Sequence, residues 1–125
     1  MSEGARESAI REFSDDRGRL RVFEGEQDLP FPIRRCFVIS DVPEGKTRAR
    51  HVVASEQYLV ALAGSCTALT KAGNIEQRYV LQDGNRGLHV PRGTWLLLEN
   101  FSRGTVIMVL SSENYVAPAA ARPGH

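Results

Sequence analysis

Short runs rich in β-branched and aromatic residues recur roughly every eight to twelve positions along the chain, separated by Gly, Asp, Asn and Pro, and no stretch keeps a helical period. That rhythm restricts the chain to an all-β fold. "AIREF" and "GRLRVFE" flank "SDDR" as a hairpin, and "LPFPI" leads into "RRCFVIS", its prolines limiting pairing at the strand's start. "QYLVALAGS", "CTALTKA", "IEQRYVL", "GLHVP", "TWLLLENF" and "TVIMVLSS" follow, with turns at "AGN", "DGNRG" and "SRG". About nine strands in one small domain predict a sandwich or jelly-roll barrel. At 125 residues a single core suffices without disulfides or a structural metal. The folded domain is expected over residues 9–115, between a loose 1–8 and a small-residue, proline-rich 116–125 that gives the terminal His125 no role.

Sixteen basic residues against fifteen acidic ones leave a formal charge of +1, which supplies no electrostatic reason to expect nucleic acid or a membrane surface as partner. A charged ligand must therefore be held locally. Cys36 and Cys66 lie in apolar runs, so both are expected to be buried, reduced thiols. No run approaches the roughly 20 apolar residues of a membrane span, and "MSEGARESAIREF" has no signal-peptide apolar region, so the cytoplasm is the expected compartment.

Two punctuated frames stand out. "GKTRARHVVASEQYLVALAG" has the spacing G-x5-H-x-H-x3-E-x6-G, with Gly45, His51 and Gly64 in place but Val53 and Gln57 at the second His and the Glu. "GLHVPRGTWLLLEN" has the spacing G-x3-P-x-G-x2-H-x3-N, with Gly87, Pro91, Gly93 and Asn100 in place and Leu96 at the His. These spacings resemble the paired motifs of cupin barrels, whose inward His, His, Glu and His hold a divalent ion. His51 alone cannot hold a transition metal, and Val53 and Leu96 present carbon, so no metal is expected.

"PFPIRRCFVISDVPEGKTRARHVV", "EQYLVALAGSC" and "VPRGTW...FS...VIMVLSSENY" further resemble the metal-independent cupins that act as nucleotide-sugar 3,4-ketoisomerases. The family pattern runs approximately P-F-x-I-x-R-x-Y, D-V-P-x-G-x-x-R-G-x-H-A-H-K, E-Q-x-L-V-x-L-x-G-S, P-x-x-W and V-L-A-S-x-x-Y, and the likeness spans residues 17–115. It implies a cupin-type jelly roll, a homodimer, no cofactor, and isomerisation of a thymidine-diphosphate-linked 4-keto-6-deoxy sugar to its 3-keto form. That chemistry needs a base for the C3 proton and a donor at C4, and an imidazole, titrating near pH 6.5 as a side-chain type, suits both. The resemblance implies that the His-x-His pair and a Tyr move the protons while Arg and Gln bind the ligand. Here the second His is Val53, the Tyr is Phe37, and one residue is missing between Val53 and Gln57.

His51 is thus the candidate acid/base, against the alternative of a hydrogen-bonded core histidine. His89 is the spare imidazole, more in keeping with an outward strand position. Arg48 matches the family's Arg and is expected to pair with a diphosphate, whereas Arg50 has no counterpart and reads as a solvated charge. Arg35 is expected either to bind the ligand or to pair with an acid on a neighbouring strand. Gln57 shares inward parity with His51 and Leu96 and is expected to hydrogen-bond the sugar. Phe37 belongs to the substrate wall, Asn100 is assigned inward parity, and Trp95 alternates away from Leu96, although the resemblance implies a ligand role for it.

Three functions follow. The first is isomerase-like proton transfer on a dTDP-linked keto sugar by His51; the second is a nucleotide-sugar-binding accessory protein that has lost catalysis. The third is a natural-product tailoring enzyme using the metal-free, apolar cavity for a rearrangement or cyclisation. Polar Arg35, Arg48, Gln57 and Asn100 favour the first two, and Phe37, Val53, Leu96 and Leu97 favour the third.

Overall fold

The computed structural model describes residues 4–114. Among them are eleven strands: β1 (Arg6–Ala9), β2 (Arg11–Asp15), β3 (Gly18–Val22), β4 (Arg35–Ser40), β5 (Arg48–Val52), β6 (Gln57–Ala63), β7 (Ser65–Ala72), β8 (Ile75–Gln82), β9 (Arg86–Val90), β10 (Trp95–Glu99) and β11 (Val106–Ser111). The fold is all-β, as the alternation predicts, with more strands than the sequence suggests. No helix among the described residues is long and apolar enough to cross a membrane.

Five strands pair in the order β1-β9-β6-β11-β4 and four in the order β5-β10-β7-β8, while β2 and β3 form a separate hairpin. The two larger sheets enclose a core that includes Leu59, Leu88, Leu98, Ile107 and Val109, all essentially without solvent contact. Strand alternation sends Leu59 and Ala61 of β6 into this core and Tyr58 and Val60 to the back of the same sheet. That back face is covered too: Ile10, Leu29 and Phe31 join Tyr58, Val60 and Leu110 in a second cluster. Burial on both faces explains why "YLVALA" reads as a continuous apolar run. Leu29 and Phe31, each burying its side chain, stabilise this cover by about 1.5–3 kcal/mol apiece.

Three sequence expectations change here. Arg6–Ala9 is not loose but pairs antiparallel with β9, an addition to the sheet that four residues of weak pattern do not announce. Residues 1–3, Tyr115 and the 116–125 tail lie outside the described residues. Cys36 is exposed, because β4 is an edge strand whose inward residues are Phe37 and Ile39, so an apolar run does not reveal which face a cysteine takes. Cys66 is buried, and desolvation pushes its thiol up to about 12. Asn100 is exposed and ends β10 in the left-handed region (φ 57°), a conformation Asn tolerates better than most residues.

The glycines of the two frames have structural reasons to persist without metal ligands. Gly64 turns β6 into β7 at φ 71°, and a Cβ there would run into the Thr105 side chain. Gly87 lies against the Tyr58 ring, which occupies the space a side chain would need.

Candidate active site

The inner faces of the two sheets are arranged in cross-strand rows. On the five-stranded sheet the outermost row is Arg35, Ser111 and Gln57, because Ser111 of β11 lies opposite both Arg35 of β4 and Gln57 of β6. The next row is Phe37, Val109 and Leu59. On the facing sheet His51 of β5 lies opposite Leu96 of β10, which lies opposite Thr70 of β7. Polar groups therefore gather at one end of the barrel, above apolar layers.

A cavity of about 20 Å³ opens between these rows. Its wall includes Phe37, Ala49, His51, Gln57, Leu59 and Leu96, and among the described residues only His51 and Gln57 bring polar side chains to it. Gln57 is 6% exposed, and its carboxamide therefore has little water to turn to. His51 Nδ1 lies 3.1 Å from the Val52 carbonyl oxygen. A carbonyl can only accept, so Nδ1 carries the proton in this contact and Nε2 is the basic nitrogen. Beside the wall, the Arg35 guanidinium stacks 4.9 Å from the Phe37 ring centroid, so its charge is held on the inner face by an aromatic neighbour. The polar row continues in Ser55, whose hydroxyl is 2.9 Å from that of the fully buried Ser111. Sequence reading missed these serines, although the inward parity of Ile107 and Val109 extends directly to Ser111.

His51, Gln57 and Phe37 thus share one wall with Arg35 beside it, and three other candidates do not join them. Trp95 alternates with inward Leu96 to the outer face of its sheet, where Lys71 Nζ sits 4.8 Å from its ring centroid. Asn100 is outside the cavity for the reason given above. Arg48 lies opposite Leu98, off the cavity wall, with its Nε buried and lacking a hydrogen-bond partner among the described residues. Arg50 is exposed.

The spare imidazole lies elsewhere. His89 is on the back of the five-stranded sheet, 6.0 Å from the Phe31 ring, with Nε2 2.7 Å from Glu56 Oε1. Burial works to raise the Glu56 carboxyl, but the Arg92 backbone N–H and His89 outweigh it and hold its pKa below the usual value. Tyr58 and Tyr79 are also structural: the Tyr58 hydroxyl bonds Ser8, and that of Tyr79 donates to the Ala5 carbonyl.

The family described as "FdtA: WxcM-like, C-terminal" matches residues 4–119. The chain belongs to this family. A TDP-4-oxo-6-deoxy-alpha-D-glucose-3,4-oxoisomerase of Aneurinibacillus thermoaerophilus is 36% identical over 107 residues, 85% of this chain and 77% of that protein. The QdtA 3,4-ketoisomerase of Thermoanaerobacterium thermosaccharolyticum, solved in complex with TDP, superposes with a TM-score of 0.85 at 31% identity, covering 93% of this chain and 85% of that one. The WlaRB TDP-quinovose 3,4-ketoisomerase of Campylobacter jejuni gives a TM-score of 0.86 at 30% identity, covering 92% and 89%. Val53, where the resemblance leads one to expect a second imidazole, is 1% exposed and belongs to the enclosed core with Leu59 and Leu96. With His51 the one metal-ligating type on that wall among the described residues, this donor set does not fit a cupin metal ion.

Proposed function

We propose that this protein is an isomerase that interconverts the 4-keto and 3-keto forms of a dTDP-linked 6-deoxy sugar, with His51 as its acid/base. What supports this most is the meeting of His51 and Gln57 on one cavity wall beside Arg35, in a family whose relatives carry 3,4-oxoisomerase names. A space of about 20 Å³ admits a water but not a hexose. The ring therefore lies over the polar end, with C3 and C4 toward His51.

The chemistry then runs through one imidazole. His51 Nε2 takes the C3 proton, and the C–H electron pair forms the C3–C4 double bond of an enediolate as charge moves onto O4. The Gln57 amide N–H₂ donates to that oxygen. The O3 proton passes to the adjacent O4, and His51 returns its proton to C4 as the carbonyl re-forms at C3. Protons and electrons balance without an external reagent. Arg35 and Arg48 supply charge-assisted hydrogen bonds to the diphosphate. The protein acts as a cytoplasmic homodimer, and the exposed β4 edge, with Cys36 and Val38 facing outward, is consistent with self-association.

The test is solvent exchange. Incubation of a dTDP-4-keto-6-deoxy sugar in D₂O should place deuterium at C3 of the recovered substrate and at C4 of the 3-keto product. Binding of the sugar with no label above background would replace this reading with that of a nucleotide-sugar-binding accessory protein that has lost catalysis. Thermal stabilisation by apolar polyketide-like compounds, but not by TDP or its sugars, would favour the tailoring enzyme.

A further inference from the structure

Strand β5 contains two consecutive residues in the left-handed region, Ala49 at φ 66° and Arg50 at φ 72°. Both are L-residues that pay a steric penalty there, and the strain falls immediately before His51. The ladder slips at the same point: His51 lies opposite Leu96 and Ala49 opposite Leu97, so Arg50 is the extra residue of a β-bulge.

The slip changes which side chains share a face. In an unbroken strand, residues three apart point to opposite sides, so Arg48 and His51 would be separated by the sheet. With Arg50 looped out, Arg48 lies opposite Leu98 just as His51 lies opposite Leu96, and both leucines are buried in the enclosed core, at 1% and 2% exposure. We propose that the Ala49–Arg50 bulge is a positioning device that turns Arg48 to the barrel side on which His51 lies, so that one ligand can meet both the guanidinium and the imidazole. The buried Arg48 Nε, lacking an acceptor among the described residues, fits this assignment: a guanidinium N–H in that state awaits an oxygen from outside the chain. The chemistry that matches it is the anionic oxygen of a nucleoside diphosphate, so the ligand half of this inference rests on the nucleotide-sugar reading above.

The experiment separates backbone from charge. Arg50→Gly and Arg50→Val remove the same charge, but Gly accepts a positive φ and Val resists it. By calorimetry with TDP, Arg50→Gly should bind within about twofold of wild type and Arg50→Val about tenfold more weakly, with no further loss from Arg50→Val in an Arg48→Ala background. Equal affinities for the two variants, or the same tenfold loss without Arg48, would overturn the proposal. Should Arg50→Val fail to fold, Arg50→Asn against Arg50→Ala makes the same contrast. A ligand-free readout keeps the two readings apart: nuclear Overhauser contacts between Arg48 Nε–H and the Leu98 methyls should appear in wild type and Arg50→Gly and vanish in Arg50→Val. Their absence from wild type overturns the bulge assignment whether or not TDP binds. Their presence in a wild type that does not bind TDP leaves the bulge standing and removes the nucleotide.

Discussion

His51 and His89 both lie on strands beside apolar neighbours, and the two sheets treat them differently. His51 opens onto a cavity where Gln57 is the other polar wall residue, and its Nδ1 contact with a backbone carbonyl leaves Nε2 basic. His89, on the back of the other sheet, faces Glu56 at 2.7 Å beneath a cover that includes Phe31. A histidine facing a carboxylate in a covered layer has a structural partner, whereas one that lines a small cavity with Nδ1 on a backbone carbonyl has the arrangement the proposed acid/base role needs. Neighbouring sequence does not distinguish them; the strand's face does.

The most direct way to break this contrast is to remove each imidazole in turn. His51→Asn should slow deuterium incorporation at C3 by about 10²–10⁴-fold, whereas His89→Gln should leave it within a few-fold. Comparable losses in both, measured by NMR of the sugar, would place His89 in the chemistry and erase the distinction.

The structural character of the back face can be sharpened through Gly87. A methyl group there meets the Tyr58 ring, so Gly87→Ala should destabilise the protein by about 1–3 kcal/mol in urea unfolding. An unchanged midpoint would mean that the ring yields at no cost.

Glu56 gives a smaller effect with a defined pH sign. Its folded pKa lies below the ordinary carboxylate value, so its contribution is present above the unfolded pKa and is lost as pH falls through the folded one. Glu56→Gln should lower stability near neutrality by about 1 kcal/mol, given the partial exposure of the pair, and flatten this part of the acid dependence. Parallel acid-unfolding curves for variant and wild type would count against the carboxylate.

The smallest expected change is on the cavity side. Ala49 stands where the family pattern has Gly and adopts φ 66°, so Ala49→Gly should raise stability by about 0.5–1 kcal/mol. A loss in thermal unfolding would show that the methyl's packing against the core outweighs the backbone strain.

Much of this site is legible in sequence because alternation and frame spacing both carry parity. Inward-facing His51, Gln57 and Leu96 follow from spacing, and Trp95 follows by alternating away from Leu96. Parity fails where the backbone breaks it: the Ala49–Arg50 bulge changes the face of Arg48, and the left-handed turn at Asn100 ends its strand's alternation. Composition also does not say which strand is at an edge, which is why Cys36 looks buried in sequence and is exposed in the fold. The four-residue β1 carries no strong pattern because its identity comes from pairing with β9, about eighty positions away in the chain.

The strand order β1-β9-β6-β11-β4 places no two consecutive strands side by side. In the other sheet β7 and β8 are the one consecutive pair, and β2–β3 is the separate hairpin. During synthesis these two hairpins can form as soon as they emerge, but β4 must wait for β11, the last strand among the described residues, before its neighbour in the sheet exists. Phe37 reaches its position only with that final pairing, so the wall it shares with His51 and Gln57 is completed late. Such distant partners make folding slow for a chain of this length, and the unpaired edge of β4 is the surface a nascent chain has to protect in the meantime.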